Sequence, residues 1–148
     1  TLPLDLNDLL AEPLPTTPDL AMAPETRLGH VHLQVADLRV AEAFWVEALG
    51  FDVIVRGYPG ALFVSAGGYH HHVGLNTWAG VGAPSPPEEA CGLVRFEVVL
   101  PDEEDVRGAA ARLAAVASVE NGEGGVLSVD PSGNRVLVRP GTDSQPSV

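Results

Sequence analysis

Residues Leu28 to Val35 alternate in polarity: Val31, Leu33 and Val35 are apolar, while His30, His32 and Gln34 are polar. Successive side chains of a strand point to opposite faces, so the stretch predicts a strand with one face for a core and one that carries imidazoles. Asp37 then stands where a helix cap belongs, and Ala41, Phe44, Trp45, Ala48 and Leu49 recur at helical spacing up to Gly50. Trp45 is therefore assigned to the core. Phe51 to Arg56 and Ala61 to Ala66 read as strands joined across Gly57-Tyr58-Pro59-Gly60. A further strand lies within Gly67 to Trp78, where alternation puts His71, Val73 and Leu75 on the core face and His70, His72, Gly74 and Asn76 opposite.

The pattern then starts again. Leu93 to Leu100 predicts a strand, Asp102 a helix cap, and Val106, Ala110, Leu113 and Ala117 a helical stripe; strand-like pieces follow at 117–120, 126–129 and 134–139. A displacement of 65 positions lays His30 on Arg95, His32 on Glu97 and Asp37 on Asp102, with apolar positions falling on apolar positions. The expectation is an α+β fold of two βαβββ modules, 27–80 and 92–140, joined by a Gly- and Pro-rich loop at 81–91. Their polar faces would line a curved, cup-shaped mixed sheet with the helices outside. Prolines 3, 13, 15, 18 and 24 make residues 1–26 an extended leader or interdomain connector, with one helical turn at Leu4 to Ala11 bearing Leu6, Leu9 and Leu10, and residues 141–148 a flexible tail.

Composition narrows the partners. Twenty acidic residues against eight basic ones give a formal charge of -12 across 148 residues, which argues against nucleic acid and against an anionic membrane surface. No apolar run approaches the roughly 18 residues that span a bilayer, and a cytoplasmic location is the expectation. The single cysteine, Cys91, leaves no internal disulfide and no thiolate cage, and reads as a small structural residue.

Any one of the five histidines taken alone reads as a satisfied structural residue. Two strands with the same alternation make the stronger case that their shared polar face lines a cavity. His70, His72, Gln34 and Asn76 lie on that face, and Arg95 and Arg135 suit an anionic or phenolic oxygen.

The Gly29-His30 strand entry, Ala43-Phe44-Trp45 through Leu49-Gly50-Phe51, the His71-His72-Val73-Gly74-Leu75-Asn76 strand and the Asp130-Pro131-Ser132-Gly133-Asn134 turn together resemble the vicinal oxygen chelate superfamily, which includes glyoxalase I, bleomycin resistance proteins and extradiol dioxygenases. Residues 69–78 are most similar to the C-terminal half of catechol-2,3-dioxygenase-like proteins. The resemblance implies a metal-dependent oxidoreductase holding a divalent metal, Fe(II) in ring-cleaving members, on two histidines and a carboxylate. His30 matches the first ligand, but Arg95 stands at the second and Leu137 at the third. Guanidinium does not ligate a cation and leucine has no lone pair. His30, His32, His70, His72 and Glu97 are the candidates for a relocated site, and a set such as His30, His72 and Glu97 would restore the ligand chemistry. His72 also matches a histidine that assists proton transfer beside the metal, with His71 as the alternative if the register slips by one, so the resemblance makes His72 and its neighbour His70 the candidate catalytic groups. Two functions are thereby implied: extradiol cleavage of a small aromatic with an altered ligand set, or a non-catalytic role, either as a module binding an aromatic or an antibiotic or as the degenerate half of a larger dioxygenase. The family also implies a homodimer, or pairing with an N-terminal module pair.

Overall fold

A computed structural model of the chain describes residues 5–12, 22–24, 26–87 and 89–141. Much of the expected leader and residues 142–148 of the expected tail lie outside these. Within the leader, a six-residue helix α1 (Leu6–Ala11) starts at Asp5, whose carboxyl accepts from the Asn7 and Asp8 amides.

The first module runs β1 (Val31–Gln34), α2 (Leu38–Glu42), a π-helical continuation (Ala43–Ala48), β2 (Asp52–Val55), β3 (Ala61–Ser65) and β4 (Val73–Asn76). The second runs β5 (Phe96–Leu100), α3 (Glu103–Leu113), β6 (Val119–Gly122), β7 (Gly125–Val129) and β8 (Arg135–Pro140). Each makes a four-stranded mixed sheet, β1-β4-β3-β2 and β5-β8-β7-β6, in which the first strand pairs parallel with the last. The expected α+β pair of βαβββ modules is therefore present. It takes the form of two sheets and no closed barrel.

The caps read from sequence are made. Asp37 accepts from the amides of Arg39 and Val40 at 2.7 and 3.2 Å, and Asp102 from that of Asp105 at 2.9 Å. The three acidic residues of the first turn of α3 add a favourable interaction with its N-terminal dipole. What the helical spacing did not distinguish is the pitch: Ala43–Ala48 is a π-helix, in which the Leu49 amide reaches back to the Phe44 carbonyl at 3.0 Å. Several strands also start later than the alternation suggests. Leu28 is 93% exposed ahead of β1 and Val94 is 78% exposed ahead of β5.

One hydrophobic core serves both modules. Phe44 and Trp45 are completely buried beside Leu33, Val64 and Leu75 of the first sheet and Val106, Leu113, Val136 and Val138 of the second module. The Trp45 ring stacks on Phe96 with centroids 5.8 Å apart and planes inclined by 12°. Its Nε1 donates to Asp130 Oδ2 at 3.2 Å, so the side chain assigned to the core also ties the first module to the turn before β8. That turn is fixed from within, since Asp130 accepts from the Ser132 and Asn134 amides and from Asn134 Nδ2. It is docked from without as well: Ser132 Oγ accepts from the Ala36 amide, and Asn134 Nδ2 donates to the Gln34 carbonyl. Arg112 Nε completes the junction at the Ala48 carbonyl, 2.8 Å away. Among the described residues no helix is long and apolar enough to cross a membrane.

Replacing Trp45 separates these contributions. Trp45→Phe keeps a ring against Phe96 but leaves a nearly buried Asp130 oxygen short of one donor, a loss expected to cost about 1–3 kcal/mol. Trp45→Ala also opens a cavity and should cost about 3–5 kcal/mol. Urea denaturation of the two variants checks this, and no loss in Trp45→Phe would contradict the tie.

Candidate functional site

The imidazoles gather at the start of β1. Around His30, the ring centroids of His32, His70 and His71 lie at 5.3, 5.8 and 4.5 Å. His71 is 5.5 Å from His32 and 5.0 Å from Phe63, which backs it edge-on. Alternation had put His71 on the core face with Val73, but β4 begins only at Val73 and the chain bends at His72, so the two-residue period does not reach back through the histidines. His71, with His70, consequently reaches the cluster from the segment that leads into β4. His72 instead turns its Nδ1 to Ser65 Oγ at 2.9 Å and to the Ala66 amide at 3.2 Å, with its ring 6.4 Å from Phe51. As the Ala66 amide donates to Nδ1, a neutral His72 ring carries its proton on Nε2.

Two glycines make room for the assembly. Gly74 lies opposite His32 in the β1–β4 register, and a Cβ there would come 3.0–3.1 Å from three atoms of the His32 ring. Gly29 does the same for Tyr69, whose hydroxyl sits 2.8 Å from where a Cβ would be. Tyr69 in turn packs on both His70 and His72, at 4.2 and 4.7 Å between centroids. Tyr69 and Phe63 were not singled out from sequence. The available signals were the position of Tyr69 inside the Gly-Gly-Tyr-His-His-His run and that of Phe63 one residue off the core period of β3.

A cleft of about 440 Å³ opens between β1 and β5. Leu49, Phe51, Phe96 and Val98 give it apolar walls from both modules, and His30, His72 and Glu97 supply its polar groups. These last three are the residues proposed from sequence as a relocated ligand set, yet they do not converge as one. Glu97 is held by Arg139, with Nε 2.6 Å from its Oε2, rather than by its neighbour Arg95. Among the described residues, the group of three whose ligand atoms all lie within 4.8 Å of one another is His30, His70 and His71. Nε2 of His71 is buried and has no hydrogen-bond partner among the described residues.

The other candidate residues are dispersed. Asn76 is buried and committed to the backbone, donating to the Leu33 carbonyl and accepting from the Trp78 amide, so its amide is not turned to a ligand. Gln34 and Arg135 border a second cavity of about 420 Å³ together with His32 and the 83–94 loop. Arg95 is exposed ahead of β5 and lines neither cavity. Leu137 is 1% exposed and sits against Gly122, where a Cβ would come within 2.9 Å of its Cδ1. With a guanidinium at one expected ligand position and a packed leucine at the other, the donor set does not fit the two-histidine, one-carboxylate iron site.

Comparison with known proteins places this geometry in context. Residues 27–137 match the profile of the family described as the Glyoxalase/Bleomycin resistance protein/Dioxygenase superfamily. Over 110 residues the chain is 51% identical to a catechol-2,3-dioxygenase of Bacillus subtilis (strain 168), a match covering 72% of this chain and only 38% of that protein's length. Among solved structures, the lactoylglutathione lyase from Agrobacterium tumefaciens is 25% identical with a TM-score of 0.58, covering 80% of this chain and 96% of that one. A glyoxylase/bleomycin resistance protein/dioxygenase domain from Frankia sp. EAN1pec shares the fold at 20% identity and a TM-score of 0.63, covering 81% and 95%.

Burial, then the positive charges of His30, His70 and His32, pushes the His71 pKa below the usual imidazole value; burial and then His70 do the same to His72. A depressed pKa means that below about pH 6.5 the unfolded chain takes up protons the folded one refuses. Metal-free protein should therefore hold its stability above that pH and lose it progressively as the pH falls below about 6.5. His71→Gln should flatten the slope. Denaturation midpoints measured across this window check it, and an unchanged slope in the variant would contradict it.

Proposed function

The chain belongs to the Glyoxalase/Bleomycin resistance protein/Dioxygenase superfamily, and from that premise we propose that it is the aromatic-binding domain of a catechol-2,3-dioxygenase-like protein, taking a small catechol-type ring into the cleft between its modules. The observation that carries this reading is the cleft itself. Its volume falls within the range of small-molecule sites, and it combines apolar walls with a few polar groups, as such sites do. Phe51, Phe96 and Val98 would sandwich the ring. His72, with its proton on Nε2, would donate to a ring oxygen, and His30 would stand within reach of a second. Glu97, occupied by Arg139, would close the far wall rather than act as a base.

Ring cleavage in this superfamily takes its oxygen chemistry from a bound divalent metal, and the residues at the expected positions here do not supply that site. The role we assign to this chain is accordingly to bind and orient the ring and to keep water from it. The chain spans about two-fifths of the length of its dioxygenase relative, so ring cleavage by a longer protein remains part of the proposal and is not assigned to these residues.

Calorimetry with tag-free protein in chelator tests the reading. Catechol is expected to bind without metal and to raise the denaturation midpoint; at a concentration about 100 times its Kd the stabilisation should be about 2.7 kcal/mol. Phe96→Ala and His72→Ala should each weaken binding, whereas Arg95→Ala should not. Absence of any catechol-dependent stabilisation would overturn the reading, and oxygen uptake with catechol in chelator would overturn the purely binding role.

A further inference from the structure

We infer that His30, His70 and His71 form a site for one divalent transition-metal ion of the Zn(II) or Co(II) class, which keeps His30 but replaces the other two ligands that the family resemblance implies. The inference rests on the placement of these three side chains and is independent of the aromatic-binding reading. Each residue offers a ring nitrogen, and the three nitrogens lie within 4.8 Å of one another. Ligand nitrogens around a tetrahedral zinc bonded at about 2.0–2.1 Å stand roughly 3.4 Å apart, so modest side-chain rotation brings the set to bonding geometry.

The second observation is the His71 ring. A buried polar atom without a partner is uncommon and calls for a cause, of which an ion is one, and His71 Nε2 is such an atom. Among the described residues nothing fills its lone pair or takes its proton, yet Phe63 and His30 fix the ring on two sides. The segment that brings His70 and His71 to His30 is a tight turn with Gly67 and Gly68 both at positive φ, 63° and 75°, a conformation that favours glycine. Tyr69 between them is held over His70 by the missing side chain of Gly29. The turn is thus built to present two consecutive imidazoles to a third.

Donor chemistry selects the ion. Three imidazole nitrogens and no carboxylate suit zinc, copper, nickel, cobalt or iron and offer little to magnesium or calcium, which take oxygen ligands. Three histidines leave at least one coordination position open, as in catalytic zinc sites. The formal charge of -12 on the chain attracts cations to it. His32 belongs to the same cluster but not to the converging set, its ring resting over Gly74 instead.

The test is titration of Co(II) into the full, tag-free chain after chelator treatment, read by calorimetry and by the visible absorption of the bound ion. One equivalent per chain is expected, with saturable absorption bands that Zn(II) displaces. His30→Gln and His71→Gln should each weaken binding at least 100-fold, beyond the roughly 10–100-fold typical of losing an outer-shell partner, and His32→Gln should stay within a few-fold of the parent. If His71→Gln does not fold, as judged by circular dichroism, His70→Gln takes its place. No saturable binding, several weak equivalents, or an equal loss in His32→Gln would overturn the site. Catechol binding measured in chelator on the same protein keeps the two readings apart: catechol binding with no saturable Co(II) binding overturns only the metal site, and saturable Co(II) binding with no catechol binding overturns only the cleft.

Discussion

Everything about the cleft depends on a buried carboxyl group that is not part of its lining. Asp130 is 3% exposed and accepts from two backbone amides, one side-chain amide and the Trp45 indole. A buried acceptor left short of a donor costs about 1–3 kcal/mol, a large share of the 5–15 kcal/mol that holds a typical domain folded. Three of its donors are local to the turn, and the fourth arrives only when the other module docks. The same hydrogen bond that satisfies Asp130 therefore sets where β5 stands relative to β1, because Trp45 also stacks on Phe96, the first residue of β5.

The π-helical turn belongs to the same constraint. Trp45 lies within it, and the chain leaves it through Leu49, Gly50 and Phe51, which line the cleft. One short segment thus fastens the modules together at its start and supplies cleft wall at its end. Gly50, with φ of 90°, makes that exit possible, since a side chain there would be strained.

Much of this architecture was legible in the chain. Alternation in Val31, Leu33 and Val35 and the aspartates at 37 and 102 are local signals, and the residues they mark occupy the expected places. The displacement of 65 revealed the duplicated module because packing positions tolerate only apolar residues. The histidine face was legible only in part. His30 and His32 lie in or beside a regular strand, where the period of two holds, whereas His70, His71 and His72 precede β4, where a bend resets the direction of each side chain. The partner of Glu97 was illegible for a different reason: Arg139 is 42 positions away and meets it only through the parallel pairing of β5 with β8. The pitch of the Ala43–Ala48 helix was also out of reach, because apolar residues at 44, 45 and 48 suit either hydrogen-bond ladder.

Five consecutive residues of β5, Phe96 to Leu100, border the cleft, although neighbours on a strand point to opposite sides of a sheet. A run of this kind can line a space only with the strand's rim, and β5 is the terminal strand of its sheet, with β8 as its single neighbour. The cavity wall is therefore partly main chain, a row of peptide donors and acceptors whose positions survive any exchange of side chains. Drift in the lining residues would retune which molecule fits while the polar grip of the wall stayed the same.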